Sequence, residues 1–231
     1  MDKIIASSPQ YADTSENLNK YKNKVEVIPL AIDKSVYPII DEQLKQKWQK
    51  EVGQDFFLFI GVLRYYKGLK YLLQAAKICK LPIVIAGDGP EKASLQEYIT
   101  ENNLTNVKMV GFIEENDKVV LHHLSQAFIF PSHLRSEAFG ISLLEAQLYS
   151  KPIISSDIGT GSSYVNIHNE TGLQVAPAHP VALAEAMEKL DNNRELGLTL
   201  GKQARLRYEN NFTSEIYAQN YINVYQQLLK S

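Results

Sequence analysis

Phe56-Phe57-Leu58-Phe59-Ile60-Gly61-Val62-Leu63-Arg64-Tyr65-Tyr66-Lys67-Gly68 opens as an unbroken apolar run and breaks at a glycine. It then passes two cations into a segment whose apolar residues recur at helical period. A short apolar run closed by a turn and followed by a helix is the unit of a parallel sheet buried on both faces. The unit repeats towards the C-terminus. Apolar or β-branched runs predict six strands, at 56–62, 82–87, 106–112, 128–132, 152–157 and 172–177. Helices are predicted to open near Lys67, Pro90, Glu115 and Gly140, followed by one over 181–190 and two more helical stretches running to Leu229. The alternation specifies an α/β, Rossmann-like, doubly wound parallel six-stranded sheet with a helical C-terminal tail.

Working outward, the organisation changes before Phe56. Residues 4–7 and 25–30 read as two short strands joined by the polar stretch 11–24, and 41–52 as a helix. These are too few to bury a core of their own. The expected division is therefore a remnant of a preceding domain with its linker over 1–24, the Rossmann-like domain over 25–212 and a terminal helix over 213–231.

Composition narrows the chemistry. The 231 residues are 45% hydrophobic and 22% charged, as in a globular domain, and the net charge of -2 supplies no bulk field for nucleic acid or acidic lipid. The single cysteine, Cys79, lies in an apolar-periodic run, where a buried thiol is expected; it can form neither a disulfide framework nor a cysteine zinc site. The longest apolar stretch falls far short of the roughly 20 residues of a membrane helix. The N-terminus shows no signal-peptide pattern, so the expected location is cytoplasmic.

In open α/β sheets ligands bind beyond the carboxyl ends of the strands. Three turns there carry glycine. In the 61–68 turn, Gly61 allows close backbone approach and Arg64 and Lys67 could neutralise a diphosphate; an ordinary βα turn with solvated cations fits equally. The turn Ala86-Gly87-Asp88-Gly89-Pro90-Glu91 reads as structural, with Pro90 placed for a first helical position. At the third, the exposed backbone of Gly111 and Phe112 could read a base edge.

Pro131-Ser132-His133-Leu134-Arg135-Ser136-Glu137-Ala138-Phe139-Gly140-Ile141-Ser142-Leu143-Leu144-Glu145-Ala146 carries two carboxylates, one on a loop and one in the second turn of a helix. At about 1.5 Å rise per residue they stand on the order of 10 Å apart, suited to gripping opposite ends of an elongated ligand rather than to sharing a proton. Between them the N–H groups of Phe139, Gly140 and Ile141 form an anion seat at the helix start. Read blandly, Glu137 is a loop acid before a helix and Glu145 a surface helix acid.

Two glutamates at this spacing, after a strand ending in Pro-Ser and with Phe-Gly between them, closely resemble the signature of glycosyltransferase family four, a retaining GT-B family. The resemblance extends to Val27-Ile28-Pro29-Leu30-Ala31-Ile32-Asp33, the 61–68 turn, Ala86-Gly87-Asp88-Gly89-Pro90, Val110-Gly111-Phe112, Lys151-Pro152-Ile153-Ile154-Ser155-Ser156-Asp157 and Glu170-Thr171-Gly172-Leu173. It implies the donor-binding half of a GT-B enzyme, with Glu137 on the donor sugar, Glu145 on the ribose and Lys67 on the diphosphate. It also implies a glycan acceptor bound through a first domain this chain lacks. Val62 stands where an arginine usually follows the glycine, which leaves Arg64 as the candidate substitute. The 159–165 segment also departs, lacking the glutamate many members have after a glycine pair. The 61–68 phrase together with Ser163-Tyr164-Val165-Asn166 looks like a bacterial polysaccharide mannosyltransferase branch, for which GDP-mannose is the favoured donor and O-antigen or a lipid-linked glycan the acceptor class. Peripheral association of the full-length enzyme with the cytoplasmic membrane stays open.

His133, beside the expected sugar site, is a candidate donor contact, whereas His122 and His123 are expected exposed or at the core edge. No His, Asp and Glu cluster has metal-ligand spacing, and a GT-B enzyme of this type is expected to need neither metal nor cofactor, because cations and helix dipoles stabilise the leaving group. Three functions remain: retaining sugar transfer, a nucleotide-sugar-binding module without turnover, and an NAD-dependent dehydrogenase. The absence of a Gly-x-Gly-x-x-Gly fingerprint disfavours the last.

Overall fold

The computed structural model describes residues 2–230; Met1 and Ser231, the outer ends of the N-terminal segment and of the tail, lie outside the described residues. A parallel pair comes first, β1 (Ile4–Ala6) on β2 (Val25–Val27), with Ile4 opposite Val25. The connection between them, read from the sequence only as polar, holds two short helices, α1 (Pro9–Thr14) and α2 (Glu16–Asn19). The Ser8 and Ser15 hydroxyls accept from the Tyr11 and Leu18 N–H groups, so side-chain caps start helices too short to show an apolar period. Next comes α3 (Glu42–Val52), capped by Asp41 and tied to the domain by Trp48 Nε1 donating to Asp117 at 2.8 Å.

The domain proper follows as β3 (Phe57–Ile60), α4 (Leu69–Cys79), β4 (Ile83–Ala86), α5 (Lys92–Glu101), β5 (Val107–Gly111), α6 (Glu115–Leu124), β6 (Ala127–Phe130), α7 (Ile141–Leu148), β7 (Ile153–Ser156), α8 (Gly161–Val165) and β8 (Gly172–Val175). The tail is α9 (Pro180–Asn192), α10 (Arg194–Asn211) and α11 (Ser214–Lys230). All six expected strands form, each shorter than its apolar run because the outer residues enter turns. The segment forming α8 carried no helical signal, and α5 opens two residues beyond Pro90.

The sheet is parallel throughout, in the order β5-β4-β3-β6-β7-β8. Strand side chains alternate between two cores, as period-two geometry requires of strands covered on both faces. Phe57, Phe59, Ile83, Ile85 and Ile129 pack with α4, α5 and α9; Leu58, Ile60, Val84, Phe128 and Phe130 pack with α3, α6 and α7. At roughly 25 cal/mol per Å² of apolar burial, a fully buried Phe or Leu contributes about 1.5–3 kcal/mol, and the two cores hold the strand ends rigidly where a ligand site must be built.

The segment after β2 is anchored to the tail: Tyr208 donates to the Ile32 carbonyl at 3.1 Å and Ile32 bridges Thr213. On α11, Val224 is the one side chain buried among those described, and the Tyr217, Tyr221 and Tyr225 rings run along the helix at centroid spacings of 4.9 and 6.3 Å. Ile216, Tyr217 and Tyr221 are half-buried, and Tyr225 is exposed.

Candidate nucleotide-sugar site

The strand order reverses between β3 and β6, whose successors go to opposite sides, and the turn after β3 meets the loop after β6 at this switch point, where open α/β sheets bind ligands. Gly68 lets these two segments touch. Its φ is 70°, and a Cβ there would lie 2.1 Å from the Pro131 carbonyl oxygen. With the turn pressed onto the end of β6, the His133 N–H donates to the Tyr66 carbonyl at 2.9 Å and Lys67 Nζ forms an ion pair with Glu137 Oε2. The ammonium also lies 5.0 Å from the Phe130 ring centre.

Glu137 is held on several sides. Ser132 Oγ donates to its carboxylate at 3.1 Å, and Thr160 Oγ1 donates to its backbone carbonyl at 2.7 Å. The residue is only 8% exposed, so it is more than a loop acid that precedes a helix. An acid buried to this degree needs its charge paired and its oxygens hydrogen-bonded, and Lys67 and Ser132 do both. Lys67 is likewise mostly covered.

Glu145 is buried too, at 6% exposure, not a surface helix acid. Lys118 Nζ at 2.9 Å and Tyr37 Oη at 3.1 Å both donate to its Oε1. Burial pulls the Lys118 ammonium down, but the hydrogen bonds and charges of Glu145 and Glu115 outweigh it and its pKa lies above the ordinary value. Burial and the neighbouring Glu145 charge push the Tyr37 phenol up, keeping it a donor at neutral pH. The sequence reading missed Tyr37 and Lys118. For Lys118 a signal existed, since it lies in the first turn of the helix that follows the Gly111 turn. For Tyr37, 108 residues from Glu145, there was none.

The three glycine turns lie side by side at the strand ends. Gly61 donates to Ala86 and Gly87 to Gly111, and a Cβ on Gly87 would lie 1.9 Å from the Gly61 carbonyl oxygen. Beside them opens a cavity of about 410 Å³ lined by Gly61, Phe112, Ile113, Glu115 and Lys118. Phe112 is 72% exposed at its mouth, whereas the Phe139 ring is buried against Phe212, so only its backbone can face a ligand. Gly140 is left-handed at φ 91° and starts α7, with Ile141 partly exposed. The N–H groups of Phe139, Gly140 and Ile141 donate to no backbone carbonyl among the described residues, as an anion seat requires.

Arg64 and His133 lie elsewhere. Arg64 is exposed, enters no ion pair among the described residues, and lines a second cavity with His133 rather than the one beside Gly61. The His133 ring sits between Tyr65 and Tyr71, 5.0 Å from each. His122, expected at an edge, is wholly buried in α6 and stacked on Tyr149 at 5.1 Å, because α3 and α7 close over that face.

Residues 40–207 match the family model described as Glycosyl transferases group 1. The chain belongs to this family. It is 48% identical over 93% of its length to the D-rhamnosyltransferase WbpZ of Pseudomonas aeruginosa, and 42% identical over its whole length to the O-antigen chain mannosyltransferase C of Escherichia coli. It spans 56% and 62% of those two glycosyltransferases. In fold it superposes on Anabaena Alr3699/HepE, solved in complex with UDP and glucose, with a TM-score of 0.83 at 21% identity over 97% of this chain and 63% of that one. The α/β fold that the chain shares with glycosyltransferases of known structure is thereby shown. Among its described residues no helix is long and apolar enough to cross a membrane, and no group of three or more His, Cys, Asp or Glu could hold a metal ion.

Proposed function

We propose that this chain binds a nucleotide-diphosphate sugar, with GDP-mannose favoured, for retaining transfer of a hexose to a growing surface polysaccharide or lipid-linked glycan. The observation that carries the reading is the Lys67–Glu137 pair at the point where strand order reverses. A diphosphate entering there competes with Glu137 for the Lys67 ammonium. Donor-sugar hydroxyls replace the lost contacts on Glu137, so the pair exchanges partners rather than leaving a charge bare. Lys67 and the N–H groups opening α7 then face the negative charge that builds on the diphosphate as its bond to the anomeric carbon breaks, which lowers the barrier, and the proton of the incoming acceptor hydroxyl passes to the departing diphosphate as the new glycosidic bond forms. Glu145, oriented by Tyr37 and Lys118, is the ribose acceptor, and the cavity beside Gly61 and Phe112 takes the base. The named relatives support the hexosyl class and the polysaccharide acceptor.

Transfer belongs to the whole protein; donor binding is what the residues described here supply. A nucleotide-sugar-binding module that turns over only with a partner domain is therefore the second reading. Calorimetry with GDP-mannose, UDP-glucose and NADH tests the assignment. Binding of a nucleotide sugar is expected, and preferential binding of NADH would sink it. Labelled-donor transfer to an acceptor glycan separates the two readings.

A further inference from the structure

The donor reading uses one of two cavities flanking the 61–68 turn. The other, of about 340 Å³, lies between the first turns of α4 and α5 and is lined in part by Arg64, Tyr65, Tyr71, Glu91, Tyr98 and His133. We propose that this second cavity is a subsite for a neutral hexose residue of the acceptor glycan, an inference that rests on the glycosyl-transfer reading above.

The lining has the chemistry of a hexose, which presents apolar C–H faces and a rim of hydroxyls. Tyr65, Tyr71 and Tyr98 supply rigid apolar rings with polar tips. Arg64 and Glu91 carry opposite charges into the same cavity, and among the described residues neither enters an ion pair. A guanidinium only donates and a carboxylate only accepts, so the hydroxyls of one ligand satisfy both. Lys70 stands exposed at the rim. The volume lies within the range of about 300–1,000 Å³ usual for small-ligand pockets.

His133 adds an independent reason. Both its ring nitrogens are shut off from solvent and neither has a side-chain partner, the Tyr66 backbone carbonyl being the polar group that acts on the ring. Tyr65, packed edge-on against the imidazole, is itself 65% exposed, so swinging it aside costs little packing and uncovers the nitrogens to a hydroxyl. The cavity also shares its wall with the donor site. Tyr65 and Lys67 occupy one short 3-10 turn, and His133 directly follows Ser132, which bonds Glu137. A glycan chain held here ends beside the sugar to be transferred.

The test measures binding of an α-linked mannose tetrasaccharide by saturation-transfer NMR and of GDP-mannose by calorimetry, on the wild-type chain and on Tyr65→Ala, Arg64→Ala and His133→Phe, with folding checked by circular dichroism. The expected result is that Tyr65→Ala and Arg64→Ala each weaken glycan binding at least tenfold more than GDP-mannose binding. Equal loss of both ligands, or no glycan binding by a wild-type chain that binds GDP-mannose, overturns the subsite and leaves the transfer reading standing. Preference for mannose 6-phosphate over the neutral glycan overturns the neutral hexose. Glycan binding with no GDP-mannose binding keeps the subsite and sinks the GDP-mannose assignment; binding of neither ligand removes both.

Discussion

Lys67 and Glu137 are 70 residues apart in sequence and meet as an ion pair whose side chains are 12% and 10% exposed. So little exposure makes the pair strongly interdependent. Removing either partner strands the other charge where water hardly reaches it, which is costlier than losing a surface salt bridge. The pair therefore acts as a clasp between the turn after β3 and the loop after β6.

A double-mutant cycle with Lys67→Met and Glu137→Gln is expected to show a coupling of about 0.5–3 kcal/mol in urea unfolding, the range for residues in contact. Additive effects would mean that the clasp does not form in solution. Lys67→Ala should in addition weaken nucleotide-sugar binding by roughly ten- to a hundredfold, the worth of a charge-assisted contact of about 1.5–3 kcal/mol.

Tyr37→Phe removes one of the two donors on Glu145 Oε1 and keeps the ring packed against Tyr149. The expected loss is about 0.5–1.5 kcal/mol of stability. Because the carboxylate is then oriented by Lys118 alone, GDP-mannose should also bind several-fold more weakly. A Tyr37→Phe chain with wild-type melting temperature and wild-type affinity would remove Tyr37 from the site.

Stability should fall on mild acidification. Burial holds the His122 imidazole well below its ordinary value of 6.5, with the nearby Lys151 and Lys118 charges adding to the shift. The unfolded chain takes up a proton near pH 6.5 that the folded chain refuses. Stability from this group is thus fully present above that pH and declines as pH falls towards the folded value, by up to about 1.4 kcal/mol per unit. His123 and His133 are lowered in the same direction by burial. Urea midpoints at pH 7.5 and 5.5 measure the loss, and His122→Phe should reduce it by about 1 kcal/mol. A variant with the same acid sensitivity as wild type would disprove the role of His122.

Arg135 ties the loop carrying Glu137 to two other segments, donating to Thr14 Oγ1 at 2.6 Å and to the Gly159 carbonyl at 3.1 Å. The residue is exposed, so Arg135→Ala should cost no more than about 1 kcal/mol of global stability. Its expected signature is local: faster proteolysis within 134–137 and a few-fold weaker binding of nucleotide sugar, both unchanged in an Arg135→Ala chain if the anchor is immaterial.

The sheet was legible because each strand is an apolar run bounded by a glycine or polar turn, and the helices because their apolar residues recur at a regular period. Glu137, Glu145 and Lys67 could be singled out because their motifs are short and local. The helices α1, α2 and α8 escaped notice, since segments of four to six residues give no period and owe their existence to serine caps or to neighbouring packing.

By itself, then, the amino-acid sequence determined the order of strands and helices and singled out the glycine turns and the two carboxylates of the proposed donor site, all of which depend on residues close together in the chain. Only tertiary structure decided which charges meet. That Lys67 rather than Arg64 reaches Glu137, that Tyr37 and Lys118 converge on Glu145, and that His122 is sealed in the core follow from parallel strands bringing distant loops to one edge. Burial and pairing are properties of that juxtaposition. Periodicity reports which face of an element is apolar, but not what lies against it.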